Sequence, residues 1–241
     1  MTERRLRLPT RNVVAALAIA LLVLAAGYFF AVSQLPLGVA FATYAFILAE
    51  ARVRLRNYIR GFRGAAIVTR LIRSAVFFVP LPFLGFPSAQ PQAWGIVGGF
   101  VYGAALQLSQ VSDLRLTLSR DFLKLLPPLS AEDKFRDTFH PILIASAQEY
   151  FYRGVILYVL IPYIQLWAIV VSTVFFVFEH VMHFNASRRW DRLDLLFQML
   201  LSLGLSTLFY FSQALLGSLL GHMAYNFPSL IQALRRSSQT Q

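Results

Sequence analysis

The stretch VVAALAIALLVLAAGYFFAVS, at positions 13–33, decides the class of this protein. It contains no charged side chain, and it is as long as the roughly 17–25 apolar residues that a helix needs to cross a bilayer. The whole chain agrees with it, since 57% of the 241 residues are hydrophobic and only 14% are charged. Soluble domains carry about 25% charged residues, and disordered chains have few aromatic ones. Both classes are therefore excluded, which leaves a polytopic membrane protein.

Apolar runs recur along the chain and predict an all-α fold with about eight transmembrane helices. The predicted spans are residues 13–33, 35–50, 64–85, 93–111, 141–161, 166–184, 194–211 and 213–232. The only long polar stretch, 112–140, is predicted to be an amphipathic cytoplasmic connector on the membrane surface. We find no internal repeat, so a single membrane domain over residues 1–241 is the simplest interpretation. The absence of cysteine excludes disulfides, thiolate metal sites and cysteine nucleophiles.

The net charge of +11 is distributed unevenly over the connections between spans. The cationic segments are the N-terminus, 51–63, 112–140, 185–193 and the C-terminus. The connections without Lys or Arg are those near 34, 86–92, 162–165 and 212. Under the positive-inside rule this alternation predicts an inner (plasma) membrane protein with both termini in the cytoplasm. Arginine-rich loops of this kind indicate the lipid bilayer as partner rather than a nucleic acid.

Ionisable side chains inside the predicted spans point to function, because a charge at mid-bilayer costs at least a few kcal/mol. They lie in the fifth, sixth and eighth spans. The sequences are Gln148-Glu149-Tyr-Phe-Tyr-Arg153, Phe176-Val-Phe-Glu179-His180 and His222-Met-Ala-Tyr-Asn226. The polar groups can all meet in the cytoplasmic half of the membrane, so we expect them to form one site.

The spacing of these residues suggests a hydrolytic site. Glu149 and Arg153 are four residues apart and share a helix face, as do His222 and Asn226. Two imidazoles and a carboxylate can activate water, either as a general base or as ligands of a divalent metal such as Zn²⁺. The possible metal ligands are His180, His222 and Glu149. Asn226 is a candidate donor to a developing oxyanion.

Three other charged residues have simpler interpretations. Glu179 is expected near the membrane interface, in contact with water. Arg70 and Arg73 are expected to extend their guanidinium groups to the lipid headgroups while their stems stay in the apolar layer.

The three motifs together resemble those of the CPBP family of intramembrane proteases, which includes CAAX-type prenyl endopeptidases and bacteriocin-processing proteins. The family pattern is EExxxR, then FxxxH, then HxxxN, on separate helices. The resemblance covers about residues 140–230, with a motif-bearing core at 141–232. It implies an endopeptidase that cleaves a membrane-tethered peptide or protein substrate.

The resemblance also implies roles for individual residues. The leading acid of the first motif would be the general base, and that position is Gln148 here. Glu149 would bind or orient the catalytic groups, with Arg153 as its partner on the same helix face. His180 and His222 would polarise the water or hold a metal. Asn226 would steady the oxyanion.

Gln148 departs from the family pattern, because an amide cannot accept a proton near neutral pH. Three explanations are open: Glu149 takes over as base, the glutamine is an engineered trap, or the chain is a natural non-catalytic relative. The sequence thus predicts an intramembrane endopeptidase with a Glu/His/His/Asn site, and its rival is an inactive pseudoprotease or membrane scaffold. A transporter is disfavoured, because no span in the first half supplies a matching polar partner.

Overall fold

A computed structural model describes residues 10–53, 64–85, 91–126, 129–183 and 192–238. These residues form helices, and none of them lies in a strand. Three helical segments of the described residues are long and apolar enough to cross a membrane: Val13–Ala31, Ile67–Leu84, which a turn at 77–80 divides, and Leu193–Ser212. The shorter apolar helices are Leu35–Glu50, Ala93–Leu108 and Trp167–Met182. These features confirm the all-α class and indicate a membrane protein, while the number of about eight spans stays a prediction.

The helices follow one another with short connections. In chain order they are α1 (Thr10–Ala31), α2 (Leu35–Val53), α3 (Ala65–Val76), α4 (Leu81–Leu84), α5 (Ala93–Leu108), α6 (Val111–Thr117), α7 (Arg120–Leu125), α8 (Ala131–Lys134), α9 (His140–Glu149), α10 (Tyr158–Ile164), α11 (Trp167–His183), α12 (Arg192–Ser212) and α13 (Leu215–Ser238). Two π-helical segments, π1 (Phe135–Phe139) and π2 (Tyr150–Leu157), precede and follow α9. The third predicted span is divided into α3 and α4, with Pro80 and Pro82 at the start of α4. The fifth is continuous but changes from α to π and back.

Some of the cationic segments used to predict the topology lie outside the described residues. These are residues 1–9, 54–63 and 184–191, together with the uncharged connection at 86–90.

The predicted connector contains several short helices rather than one. Ser119 caps α7, its hydroxyl accepting a hydrogen bond from the backbone N–H of Phe122 at 3.2 Å. In α7 Leu123 is buried and Leu125 is exposed, and the amphipathic character of the connector stays a prediction. The segment also contacts the end of α13, since Arg235 donates to the carbonyl of Leu118 at 3.0 Å. Its placement on the membrane surface stays a prediction.

Glycines set the contact between α5 and α13. Gly99 and Gly103 on α5 lie against Gly217 and Gly221 on α13. A Cβ atom at Gly99 would overlap the carbonyl oxygen of Gly217, and one at Gly103 would overlap that of Gly221. Small residues spaced four apart allow helix backbones to approach this closely in membranes. The arrangement fixes the position of α13, which carries His222.

An aromatic core lies between α2, π2 and α11. The ring of Tyr44 stacks on that of Phe175 with centroids 4.3 Å apart, and its hydroxyl donates to the Phe175 carbonyl at 2.7 Å. Phe151 and Tyr152 of π2 pack against the same tyrosine. All three helices are thereby held together next to the polar residues of the first two motifs.

Candidate active site

The first motif lies at the junction of α9 with π2. Glu149 is the last residue of α9, and the π-helical segment begins at Tyr150 and contains Arg153. Such segments are rare and occur frequently at functional sites. The adjacent residues Gln148 and Glu149 contact different neighbours, α11 and α13 respectively. One short stretch therefore organises two groups of polar side chains.

The first group centres on Glu149 and His222, which we call the sealed pair. Oε1 of Glu149 lies 2.7 Å from Nδ1 of His222, and the two side chains are only 1% and 4% exposed. An ionised carboxylate only accepts hydrogen bonds, so the imidazole donates from Nδ1. Nε2 of His222 is then left to act on a water or a substrate.

Arg153 supports the sealed pair from within the same helix. Its Nε lies 3.2 Å from Oε2 of Glu149, and its Nη2 donates to the carbonyl and hydroxyl of Ser202 at 3.2 and 3.1 Å. The guanidinium also lies over the ring of Phe176, 5.0 Å from its centroid. Arg153 is fully buried. A buried charge of this kind is costly unless it is paired, so Glu149 compensates the guanidinium of Arg153 and is itself held in place by it.

The second group centres on Glu179 and His180, which we call the open pair. Oε2 of Glu179 accepts from Nε2 of Gln148 at 2.8 Å and lies 3.3 Å from Nδ1 of His180. The other oxygen, Oε1, lies 3.3 Å from Nη2 of Arg73. Nδ1 of His180 also lies 2.9 Å from the carbonyl of Phe176, to which it donates. The His180 side chain is 21% exposed, far more than that of His222.

Two expectations from the sequence are wrong here. Glu179 is fully buried rather than in contact with water at the interface. Arg73 contacts this carboxylate instead of extending only to the headgroups. The physical reason is the same for both: a buried carboxylate on α11 requires a cation, and α3 lies close enough to provide one.

Phe176 lies between the two pairs. Its ring centroid is 4.3 Å from that of His180 and 6.0 Å from that of His222. Five of the six predicted site residues are thus brought together: Gln148, Glu149, Arg153, His180 and His222. Their convergence follows from the packing of three helices, because α11 and α13 both pack against α9 with π2.

Asn226, the sixth predicted residue, lies apart from the acid–imidazole contacts. It lines an apolar cavity of about 370 Å³ with Phe100, Pro141 and Phe227, and a polar pocket of about 230 Å³ with Gln110. Its side chain forms no hydrogen bond with any residue that the structure describes. Four residues leave an angular difference of about 40° around a helix, so His222 and Asn226 can face neighbouring but different spaces.

The residues expected to bind a metal do not form a ligand set. Glu149 already contacts His222 and Arg153 through its two carboxylate oxygens. Within the described ranges no group of three or more His, Cys, Asp or Glu side chains is arranged to hold a metal ion. These contacts do not fit a metal site made of Glu149, His180 and His222. The metal itself stays a prediction.

Residues that the motifs did not indicate complete the site. Ser202 on α12 and Arg73 on α3 bind the two charged groups of the motif helices. Neither position has a distinctive sequence pattern, since serine and arginine occur elsewhere in the spans. The only available signal was chemical: buried charges at 153 and 179 need partners.

One comparison with known proteins bears on this site. Residues 138–228 match the family model described as type II CAAX prenyl endopeptidase Rce1-like. The matched segment contains all three motifs, and the resemblance to CPBP proteases is confirmed over it. No curated protein and no solved structure matches the chain.

Proposed function

We propose that this chain is an intramembrane endopeptidase of the CAAX-protease type, which hydrolyses a peptide bond of a membrane-tethered substrate. The observation that carries the proposal is the sealed pair, in which a fully buried carboxylate binds Nδ1 of an imidazole. The pair lies within the segment that matches a family of prenyl endopeptidases. A membrane interior tolerates such a group only where it is paired, and ionisable residues there mark functional sites.

Glu149 and Arg153 serve the imidazole of His222. The carboxylate fixes the tautomer with the proton on Nδ1, which leaves Nε2 of His222 to accept a hydrogen bond from the water. Arg153, held by Ser202, positions the Glu149 carboxylate. His180 provides a second Nε2, because its own Nδ1 donates to the carbonyl of Phe176.

Hydrolysis uses these two imidazoles and one water molecule. The water oxygen adds to the carbonyl carbon of the scissile bond while one of its protons passes to the imidazole Nε2 of His180. The carbonyl oxygen becomes an oxyanion, to which the Asn226 amide donates. The imidazolium then gives the proton to the leaving nitrogen, the C–N bond breaks, and the products are a carboxylic acid and an amine.

The cavity beside Asn226 suits a substrate that is anchored in the membrane. It is lined mainly by apolar side chains, among them Phe100, Ile142 and Leu230, and Asn226 lies at its edge. An apolar substrate segment can occupy this space while its peptide bond extends towards His222, one helical turn earlier.

Gln148 favours a second candidate function, a pseudoprotease that binds a membrane peptide without cutting it. An amide at this position cannot act as a general base. The same cavity and the same polar contacts would then hold a peptide.

A cleavage assay distinguishes the two functions. Full-length protein in lipid vesicles is incubated with a prenylated CAAX peptide, and products are detected by mass spectrometry. We expect cleavage by the wild type and a loss of about 10²–10⁴-fold in Glu149→Gln and His222→Ala. The matched control is Asp121→Asn, since Asp121 is an exposed acid in the connector. Binding of the peptide without any cleavage would support the pseudoprotease and overturn the peptidase.

We also propose an inner (plasma) membrane location with both termini in the cytoplasm. The support is the cationic C-terminal end of α13, with Arg235 and Arg236 in its last turn. Reporter fusions at each terminus measure the orientation. Cytoplasmic activity of both fusions is expected, and a periplasmic signal from either would contradict it.

A further inference from the structure

We propose that Glu179, not an acid at position 148, is the carboxylate that stabilises the protonated form of the exposed imidazole of the site, His180, and that Gln148 anchors this carboxylate. The inference rests on the proposed peptidase function and deepens it. It makes Glu179 a positioning residue, which acts on the water through His180.

Glu149 already has two partners, His222 and Arg153. Its two oxygens contact Nδ1 of His222 and Nε of Arg153, and its side chain is 1% exposed. It therefore cannot also stabilise a protonated His180. The only other carboxylate that contacts a site imidazole, among the described residues, is Glu179.

The amide of Gln148 anchors Glu179. Its Nε2 donates to Oε2 of Glu179 at 2.8 Å in a buried position. A glutamate at 148 would bring two carboxylates into contact there, and like charges at this separation cannot both ionise. A glutamine is therefore the side chain that an ionised Glu179 requires. Gln148 is therefore compatible with catalysis, because the carboxylate beside His180 comes from position 179.

The charge of the Glu179 carboxylate is compensated by a neighbouring arginine. Arg73 of α3 lies 3.3 Å from Oε1 of Glu179 and is partly exposed. The guanidinium and the amide together compensate the buried carboxylate, so it can remain ionised beside His180. Glu149 is compensated in the same way by Arg153 and His222.

The imidazole of His180 is accessible to water. His180 is the more exposed of the two imidazoles, so a water can reach it more easily. When His180 accepts a proton from that water, the adjacent carboxylate stabilises the imidazolium. A buried aspartate stabilises the imidazolium of a catalytic triad in the same way, although here the Nδ1 proton is donated to the Phe176 carbonyl at 2.9 Å.

The test compares four full-length variants in lipid vesicles by cleavage of the same prenylated peptide and by thermal unfolding. Glu179→Gln is expected to lower kcat by about 10²-fold or more with little change in KM. Its unfolding temperature should change little, because an amide can still bond to Gln148. Gln148→Glu is expected to lower both kcat and the unfolding temperature, and the double variant Gln148→Glu/Glu179→Gln should recover the unfolding temperature. Asp121→Asn is the control.

The outcomes separate the two proposals. A Gln148→Glu variant that cleaves faster than the wild type, or a Glu179→Gln variant with unchanged kcat, would overturn the role of Glu179 and leave the peptidase function intact. A double variant as unstable as Gln148→Glu alone would overturn the anchoring contact. A wild-type protein that does not cleave would overturn the peptidase function and this inference with it.

Discussion

The sealed pair and the open pair have the same chemical components but different surroundings. Each joins a buried glutamate to Nδ1 of a histidine, and each has an arginine on the glutamate. In the sealed pair the carboxylate–imidazole distance is 2.7 Å and the arginine is fully buried. In the open pair the distance is 3.3 Å and both Arg73 and His180 are partly exposed.

The difference indicates a division of roles. Short contacts between fully buried groups hold a geometry, because any displacement leaves a charge without compensation in an apolar medium. Groups that water reaches can gain and lose protons during a reaction. We infer that the sealed pair fixes the relative positions of α9, π2 and α13, and that the open pair performs proton transfer.

The largest expected effect comes from removing the arginine of the sealed pair. Arg153→Met leaves Glu149 buried without its cation, and the expected loss of unfolding free energy is about 3–5 kcal/mol. Arg73→Met is the matched variant on the open pair. Its loss should be smaller, because water reaches Arg73 and Glu179 keeps the Gln148 amide. Chemical unfolding in detergent micelles, followed by circular dichroism, measures both; equal losses would remove the distinction between the pairs.

A methyl group between α5 and α13 should disturb the sealed pair selectively. Gly99→Ala forces a Cβ into the carbonyl of Gly217 and displaces α13, which carries His222. The expected cost is about 1–3 kcal/mol of unfolding free energy. Gly98→Ala is the matched control, since its Cβ would meet only the Leu208 side chain at ordinary distance. Thermal unfolding of both variants is the measurement, and similar midpoints would contradict the close packing.

A smaller effect is expected from removing the hydrogen bond that holds α11, the helix of the open pair, against α2. Tyr44→Phe removes the hydrogen bond from the tyrosine hydroxyl to the carbonyl of Phe175 on α11, a loss of about 1 kcal/mol. Tyr28→Phe serves as control, because that side chain is exposed. Unfolding in detergent measures the difference between the two. A Tyr44→Phe variant as stable as Tyr28→Phe would show that this bond does not hold α11.

No effect is expected from chelation. If Glu149 binds His222 rather than a metal, prolonged incubation with EDTA should leave the cleavage rate unchanged. The assay is the one described for the prenylated peptide, with added Zn²⁺ as the reverse test. A rate that falls with EDTA and returns with Zn²⁺ would show that the sealed pair rearranges to bind a metal.

The sequence predicted the helices and most of the site because both depend on local patterns. Hydropathy located each apolar helix, and the motif spacings at Glu149, His180 and His222 indicated residues that lie together in the structure. Gly99 and Gly217 meet at a helix contact. Their pairing across α5 and α13 could not be predicted, since it depends on how distant helices are arranged.

The open pair shows why the remaining part could not be predicted. Glu179 lies close to the end of its predicted span, and counting residues alone placed it at the interface. The burial of Glu179 depends on Arg73 and Gln148, which come from two other helices. The π-helical segment π2, which contains Arg153, also has no signal in the sequence pattern.

The glycine contact between α5 and α13 limits how a substrate can enter. Pulling these helices apart would expose bare backbone to lipid, with no side chain to cover the carbonyl groups. The cavity beside Asn226 is bounded by α5, α9 and α13, and of these three only α9 lies outside the glycine contact. A bulky anchor in this cavity therefore lies between two helices that cannot separate and the side chains of Pro141 and Ile142 on α9.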